Sequence, residues 1–181
     1  GMATATDGKY VYVSIYNEDG RIDKYDLMGN FVASYKIENI EGIRNLAYDG
    51  EWLYVADNTT KIHRVDIATM KNVEDIAISE YSRHLAFVPT LDGGNGGFEV
   101  GDWQSSIYVA KNGSKLGTGP IYKGASGTAY ANGKIYAFEQ GNDANKYTIG
   151  IYDFATGERT GSIDMGKYVE IDDIASVSAG G

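Results

Sequence analysis

Several side chains of this chain could recognise a polar ligand, and they recur at comparable places along the sequence. The carboxylates that end an apolar stretch are Asp57, Asp102 and Glu139. The polar pairs that begin an apolar stretch are Arg44 with Asn45 and Arg83 with His84, and Trp103 directly follows Asp102. Carboxylates accept hydrogen bonds, arginines donate them and an aromatic ring covers C–H faces. Together these groups could bind a sugar or a protein surface.

Catalysis has weaker support in the sequence. The chain has two histidines, His63 and His84, and no cysteine, and it contains no H-E-x-x-H motif, so we expect no metal site and no cofactor. His84 directly follows Arg83 at the start of an apolar stretch, but the sequence shows no evident partner that would activate the imidazole. The alternation around His63 predicts a packed or solvent-facing side chain. A lyase or hydrolase with an acidic or metal-assisted site is therefore the second hypothesis, behind a non-catalytic binding protein.

The elements that must position these residues are repeated along the chain. Four segments share two apolar stretches around a turn, namely ATATDGKYVYVSI, NLAYDGEWLYVAD, HLAFVPTLDGGNGGFEVGD and GTAYANGKIYAFE. The first stretches share an alanine column, which consists of Ala5, Ala47, Ala86 and Ala129. A third stretch and a weaker fourth one follow each segment. The resulting repeats span about 3–42, 43–81, 82–124 and 125–167.

Four strands in about 40 residues, repeated in tandem, predict a single all-β domain over residues 1–181, a β-propeller of four-stranded blades. One small sheet cannot bury both of its faces, whereas blades stacked around an axis bury each face against a neighbour. We expect the alanine column near the crowded axis, and Val13, Val55 and Val100 buried between blades. A β-sandwich is the alternative fold.

Strand order predicts where a ligand would bind. In an antiparallel blade, the first strand begins at the same end of the sheet at which the second strand ends. The residues expected on this shared rim are Arg44, Asn45, Asp57, Arg83, His84, Asp102, Trp103 and Glu139. Alternatively, the rim charges only form ion pairs between blades, and Trp103 folds back onto its own blade.

The C-terminal segment over 170–178 reads as a fifth copy of the opening strand, with Ala175 in the alanine column. Its other three strands are missing, so we expect an incomplete ring. A homodimer that pools blades, further sequence of a larger propeller, or an unusual closure in which this strand acts as a clasp would complete the ring. A structural fragment of a larger propeller is accordingly a third functional hypothesis.

Charge and hydropathy exclude two classes of partner. The formal net charge of −9 repels a phosphate backbone, and no cluster of Lys and Arg interrupts the acidic background, so we expect no nucleic-acid partner. No apolar run approaches the roughly 18 residues needed to span a bilayer. We therefore expect no membrane insertion.

The units DGEWLYVADNTTKIHRVDIATM and DGGNGGFEVGDWQSSIYVAKNG resemble the propeller repeats of secreted Bacteroidetes proteins. More loosely they are similar to YVTN and NHL-type propellers, in which a Y-V-A strand precedes one that ends in D-x-x-T-G. The resemblance implies the propeller fold and an extracytoplasmic location, in the periplasm or at the cell surface. It carries over no catalytic residue, because the matching residues are structural.

Overall fold

The computed structural model describes residues 2–15, 19–140 and 147–165. These residues form four antiparallel sheets of four strands each, arranged as the blades of a β-propeller, so the predicted fold class is confirmed. The strand predicted over 170–178 lies outside the described residues. Within the described part of the chain, no helix has the length and apolar character that crossing a membrane requires.

Each blade is a simple meander in which the strands are paired in chain order. Blade 1 consists of β1 (Met2–Thr6), β2 (Tyr10–Ile15), β3 (Arg21–Asp26) and β4 (Phe31–Lys36). Blade 2 consists of β5 (Asn45–Tyr48), β6 (Trp52–Ala56), β7 (Lys61–Asp66) and β8 (Lys71–Ala77). Blade 3 consists of β9 (His84–Val88), β10 (Gly97–Gly101), β11 (Ile107–Ala110) and β12 (Lys115–Thr118). Blade 4 consists of β13 (Ala125–Ala131), β14 (Lys134–Glu139), β15 (Thr148–Asp153) and β16 (Arg159–Asp164).

The alanine column lies on the four inner strands, β1, β5, β9 and β13. Its members are all buried, with exposed fractions of 3% for Ala5, 8% for Ala47, 2% for Ala86 and 6% for Ala129. The inner strands contact one another, β1 with β5, β5 with β9, and β13 with both β9 and β5. Small side chains are needed here because the strands crowd around the axis. The predicted burial of the alanine column is confirmed.

Local turn chemistry explains the tight meanders. In blade 4 the paired residues Ala131 and Lys134 are joined by Asn132 and Gly133, whose φ angles are 49° and 78°. Two successive left-handed residues make a type I′ turn, which matches the twist of a β-hairpin and favours Asn-Gly.

The turn that follows β7 in blade 2 depends on an aspartate. The Asp66 carboxylate accepts a hydrogen bond from the backbone N–H of Ala68 (2.9 Å). The aspartate of the D-x-x-T-G pattern is thus a turn residue.

Hydrophobic clusters fill the spaces between successive blades. One cluster joins blades 1 and 2, a second joins blades 2 and 3, and a third joins blades 3 and 4. Val55 and Val100 are fully buried in the first and second clusters, as predicted. The prediction for Val13 is wrong, because this residue is only half-buried. The face of blade 1 that carries Val13 points away from blade 2, so the cluster between those blades does not cover it.

Candidate functional site

The rim is the end of the propeller at which inner strands begin and second strands end. Two backbone hydrogen bonds define it. Arg44 N donates to Ala56 O (2.8 Å) in blade 2, and Arg83 N donates to Gly101 O (2.8 Å) in blade 3. Asp102 directly follows Gly101, so Arg83 and Asp102 lie at the same end of their blade.

Arg83 and Trp103 form the clearest unit on the rim. The guanidinium carbon of Arg83 lies 3.8 Å from the centroid of the Trp103 ring, and both side chains are half-buried. Gly124, in the loop that enters blade 4, adopts φ +68°, and a Cβ at this position would lie 3.4 Å from Trp103 Cε3. Trp103 is therefore held between the arginine of its own blade and the backbone of the next.

Asp102 shapes the loop that carries Trp103. Its carboxylate accepts a hydrogen bond from Trp103 N (2.8 Å), and its own backbone N–H donates to Ser105 Oγ (3.0 Å). The side chain is half-buried. Asp102 thus holds the backbone of the loop that carries Trp103.

Asp57 lies below the rim surface, contrary to the expectation of an accessible carboxylate. It is 4% exposed, and its Oδ2 lies 2.9 Å from His63 Nε2. The other ring nitrogen of His63 lies 2.6 Å from Asp75 Oδ1, and Thr59 Oγ1 donates to Asp57 (2.6 Å). Burial disfavours the charged ring, but the hydrogen bonds and charges of the two aspartates outweigh it and raise the pKa of His63. Both ring nitrogens of His63 therefore face carboxylate oxygens, an arrangement that favours the protonated ring.

His84 is also buried, and the expectation that it lacks a partner is wrong. Its Nδ1 lies 2.9 Å from Glu99 Oε2, and both side chains are 0% exposed. Its Nε2 faces the carbonyl oxygens of Asp102 (3.0 Å) and Ser105 (3.1 Å). Burial opposes protonation, yet the Glu99 charge and these acceptors raise the pKa of His84. Acceptors face both ring nitrogens of His84, an arrangement that favours the protonated ring.

Glu99 is a buried carboxylate near the rim that was not among the site residues predicted from the sequence. Its carboxylate also accepts hydrogen bonds from Ser106 Oγ (2.7 Å) and from Thr128 Oγ1 of blade 4 (2.7 Å). One signal could have found it. Glu99 pairs with Ala86 of the alanine column, whereas the equivalent partners in the other three blades are all tyrosines, Tyr12, Tyr54 and Tyr136.

Glu139 and Asn45 are likewise engaged inside the molecule. Glu139 is 2% exposed, and it accepts hydrogen bonds from Arg159 Nε (3.1 Å) and the Tyr152 hydroxyl (3.2 Å). Asn45 Oδ1, near the axis, accepts hydrogen bonds from the backbone N–H groups of Leu85 (2.7 Å) and Thr128 (3.2 Å). Neither side chain presents its polar group to a ligand on the rim.

The predicted rim set thus divides in two. Four members are half-buried at the rim surface, Arg44, Arg83, Asp102 and Trp103. The other four are buried, Asn45, Asp57, His84 and Glu139. Across the described ranges, no group of three or more His, Asp or Glu side chains is arranged to hold a metal ion. The buried acids and histidines bond to other groups within the described part of the chain.

Two exposed side chains with apolar surface lie in the loops that lead to the rim, and the sequence did not single them out. Tyr81 is 53% exposed in the loop that leads to Arg83, and Ile121 is 63% exposed in the loop that leads to Gly124. Each loop ends at a residue near the Trp103 ring, Arg83 in the first loop and Gly124 in the second. We call Tyr81, Arg83, Trp103 and Ile121 the Arg83 patch.

Comparison with solved structures places the chain among the β-propellers. It is similar to Myxococcus xanthus glutaminyl cyclase (TM-score 0.69, 19% identity), with 90% of this chain and 69% of that chain covered. It is similar to Kuenenia stuttgartiensis hydrazine synthase (TM-score 0.61, 13% identity), with 91% and 49% covered. It is also similar to the Neurospora crassa Pan2 WD40 domain (TM-score 0.60, 13% identity), with 90% and 48% covered.

At these identities the likeness establishes the fold alone. The chain spans about half the length of the hydrazine synthase and Pan2 chains. No protein-family profile matches the sequence, and no curated protein matches it significantly.

Proposed function

We propose that this chain is a non-catalytic interaction propeller whose Arg83 patch binds a protein partner. The observation that carries the proposal is the division of the polar groups. Both histidines and the carboxylates of Asp57, Glu99 and Glu139 are buried and bonded internally. The rim surface instead offers two arginines, a tryptophan, the half-buried Asp102 and exposed apolar side chains.

This composition favours a protein ligand. Aromatic residues and arginine are enriched in the cores of protein interfaces, and Trp, Tyr and Arg dominate their binding hot spots. The stack of Arg83 on Trp103 also restricts the guanidinium before binding, so less side-chain freedom is lost when a partner orders it.

A glycan ligand has less support in the geometry. Sugar recognition by an aromatic residue uses an open ring face, and Arg83 covers one face of Trp103 while the Gly124 backbone lies close to the ring. Enzymatic activity would need an acid or base that a substrate can reach. Two of the structural neighbours are enzymes, a glutaminyl cyclase and a hydrazine synthase, but a shared fold does not transfer their chemistry.

The proposal is tested with a displayed library of short peptides selected against the wild-type chain. Selected peptides should bind Trp103→Ala about 30-fold more weakly, which corresponds to a hot-spot loss of about 2 kcal/mol. The control is Trp52→Ala, because Arg64 also stacks on Trp52 (4.7 Å), at the end of blade 2 away from the rim. Peptides that bind both variants equally would contradict the proposal. So would a glycan array on which a sugar binds the wild type and loses binding in Trp103→Ala.

We also propose an extracytoplasmic location, in the periplasm or at the cell surface. The support is the resemblance of the repeats to those of secreted Bacteroidetes proteins. Fractionation of cells that produce the native protein, followed by immunodetection, tests it. Recovery in the cytoplasmic fraction would contradict this location.

A further inference from the structure

Blade 3 departs from the repeat at two positions whose side chains meet. Two residues before each member of the alanine column, the chain carries His84 in blade 3 and Ala3, Asn45 and Gly127 in the other blades. Glu99 pairs with Ala86 of that column, where the other blades place a tyrosine. His84 Nδ1 lies 2.9 Å from Glu99 Oε2, and both side chains are 0% exposed. Two departures that occur in one blade and bond to each other indicate a function specific to blade 3.

The connection between β10 and β11 lies directly on the His84 ring. It runs over residues 102–106, and we call it the Trp103 loop. His84 Nε2 lies 3.0 Å from the carbonyl oxygen of Asp102 and 3.1 Å from that of Ser105. These carbonyls come before and after Trp103 in the chain, so one ring nitrogen contacts both sides of the segment that carries the tryptophan. Gly101 shows how close the packing is, because a Cβ at this position would overlap Ser105 O and lie 3.0 Å from His84 Cε1.

The contacts at the two ring nitrogens are satisfied together only by the doubly protonated form of His84. The Glu99 carboxylate at Nδ1 and the two carbonyl oxygens at Nε2 are all hydrogen-bond acceptors. A neutral imidazole carries a single N–H. That proton stays on Nδ1, because a carboxylate is a stronger acceptor than a carbonyl. The Nε2 lone pair then faces two carbonyl oxygens, and the attraction between the ring and the Trp103 loop is lost.

The groups that face His84 from the neighbouring elements are compatible with a charged ring. Glu99 faces it from β10, and Tyr122 faces it from the connection over 119–124, with ring centroids 5.8 Å apart. Burial raises the pKa of Tyr122 well above its usual value, so this phenol stays neutral. The Asp102 carboxylate accepts a hydrogen bond from Trp103 N (2.8 Å). Burial opposes protonation of His84, but the Glu99 charge and the acceptors at both nitrogens raise its pKa.

We infer that His84 is a positioning residue of the Arg83 patch: its doubly protonated ring holds the Trp103 loop in the conformation that brings Trp103 against Arg83. The Arg83 guanidinium carbon lies 3.8 Å from the centroid of the Trp103 ring, so a displaced loop would separate this stack. Loss of the Nε2 proton should therefore weaken binding at the patch. This consequence for binding rests on the function proposed above, whereas the positioning of the loop does not.

Two substitutions of His84 separate its two contacts. The amide nitrogen of asparagine replaces Nδ1, and that of glutamine replaces Nε2. His84→Asn therefore keeps a donor for Glu99 and loses the donor for the loop, whereas His84→Gln does the reverse. In a Trp52→Phe background Trp103 is the remaining tryptophan, so its fluorescence reports on the loop. Acrylamide should quench this fluorescence about twofold more strongly in His84→Asn than in the parent, and to the parent's extent in His84→Gln.

His63→Asn is the matched control in the same background. His63 is the buried histidine of blade 2, and its ring nitrogens contact Asp57 and Asp75. Its substitution should leave the quenching of Trp103 unchanged. Equal quenching in the two His84 variants would overturn the inference, and so would an increase in His63→Asn that matches the increase in His84→Asn.

The wild-type histidine gives a readout that needs no substitution of His84. NMR resonances of its ring nitrogens show which of them carry protons, and a bare Nε2 at neutral pH would overturn the inference. Because the charged ring is present below the raised pKa, quenching of Trp103 should increase as the Hε1 resonance of His84 titrates with rising pH. Quenching that stays constant through this titration would also overturn the inference.

Peptides selected on the wild-type chain connect the loop to binding. They should bind His84→Asn about fivefold more weakly than His84→Gln, because the loop must then be ordered on binding. Peptides that lose binding to Trp103→Ala but bind His84→Asn like the wild type would overturn the inference and leave the proposed function in place. Peptides that bind Trp103→Ala like the wild type would contradict the proposed function, and the quenching experiment would still decide whether His84 positions the loop.

Discussion

Glu99 shows how a single residue changes the character of a blade interface. It stands where the other blades carry a tyrosine, and it binds His84 of its own blade and Thr128 of the next. A buried carboxylate is tolerated only when charge and hydrogen bonds compensate for lost hydration. The imidazolium and two hydroxyl groups supply that compensation here. At His63 the buried group is the imidazole ring, and two aspartate carboxylates bind it.

The two histidines should titrate above the usual imidazole pKa of about 6.5. Their pKa values are raised in the folded protein, so their contribution to stability is complete below the unfolded value and is lost as pH rises through the folded values. The pKa values of Asp57 and Asp75 are lowered despite burial, by hydrogen bonds that include His63. Their contribution is lost as pH falls through those values. Stability should therefore decrease on both sides of the mildly acidic range.

Proton NMR measures this prediction, because the chain has only two imidazole rings and therefore two Hε1 resonances. His63→Asn assigns them by removing one. Urea unfolding at a series of pH values gives the stability profile. A resonance that titrates at or below pH 6.5 would show that its carboxylate partner does not stabilise the charged ring.

Gly150→Ala should destabilise blade 4 by about 3 kcal/mol through overpacking at a buried charge. A Cβ at this position would overlap the Glu139 carboxylate and displace it from Arg159 and Tyr152. Gly161→Ala, on the adjacent strand, is the control, since its Cβ would meet only Ile151 Cδ1 at 3.9 Å. Urea unfolding compares the two variants. Equal stabilities would mean that the Glu139 site relaxes without loss.

At the scale of the element, the aspartate that opens a hairpin serves several bonds at once. Asp49 Oδ1 accepts hydrogen bonds from Glu51 N (2.9 Å) and Trp52 N (2.7 Å). Its Oδ2 accepts the Tyr54 hydroxyl (2.8 Å) and pairs with Lys111 of blade 3 (3.2 Å). Asp7 makes the same turn in blade 1 and binds the Tyr12 hydroxyl (3.1 Å). The turn is a repeated element, and Lys111 adds a link between blades to one copy of it.

Asp49→Ala should therefore destabilise the protein more than Asp7→Ala, by about 1 kcal/mol, since hydrogen bonds to charged groups contribute about 1.5–3 kcal/mol and Lys111 is partly exposed. Thermal and urea unfolding of both variants measure the difference. Lys111→Met in the Asp49→Ala background should add no further loss. A full additional loss would show that Lys111 stabilises the fold without Asp49.

Strand positions were predictable at this scale, whereas side-chain partners were not. Alternating apolar residues and Gly or Asn-Gly turns are local signals, so the four hairpins around the alanine column follow from the sequence. The partners of Glu99 lie 7, 15 and 29 residues away in the sequence. The fold of blade 3 brings Ser106 and His84 to Glu99, and the packing of blade 3 on blade 4 brings Thr128 to it. For the same reason the sequence placed Asp57 and Glu139 at the rim but did not show that both are buried.

At the scale of the whole molecule, Asn45 ties the inner strands of three blades together. Asn45→Ala would leave the buried N–H groups of Leu85 and Thr128 without this acceptor, and each such loss costs about 1–3 kcal/mol. We expect a stability decrease of about 3 kcal/mol and faster amide exchange at both residues. Asn95→Ala, an exposed residue in the connection between β9 and β10, is the control. Unchanged exchange at Leu85 and Thr128 would show that Asn45 does not hold the axis.

The three blade interfaces differ in ways that limit how this protein can evolve. Between blades 2 and 3, the apolar cluster could accommodate an exchanged blade by hydrophobic repacking, provided that the new blade keeps the partners of Asn45 and Asp49. Blades 3 and 4 share the Glu99–Thr128 hydrogen bond, and a foreign fourth blade without that hydroxyl would leave a buried carboxylate short of a donor. Recombination should therefore transfer these two blades as one unit, and chimeras that split them should accumulate as insoluble protein.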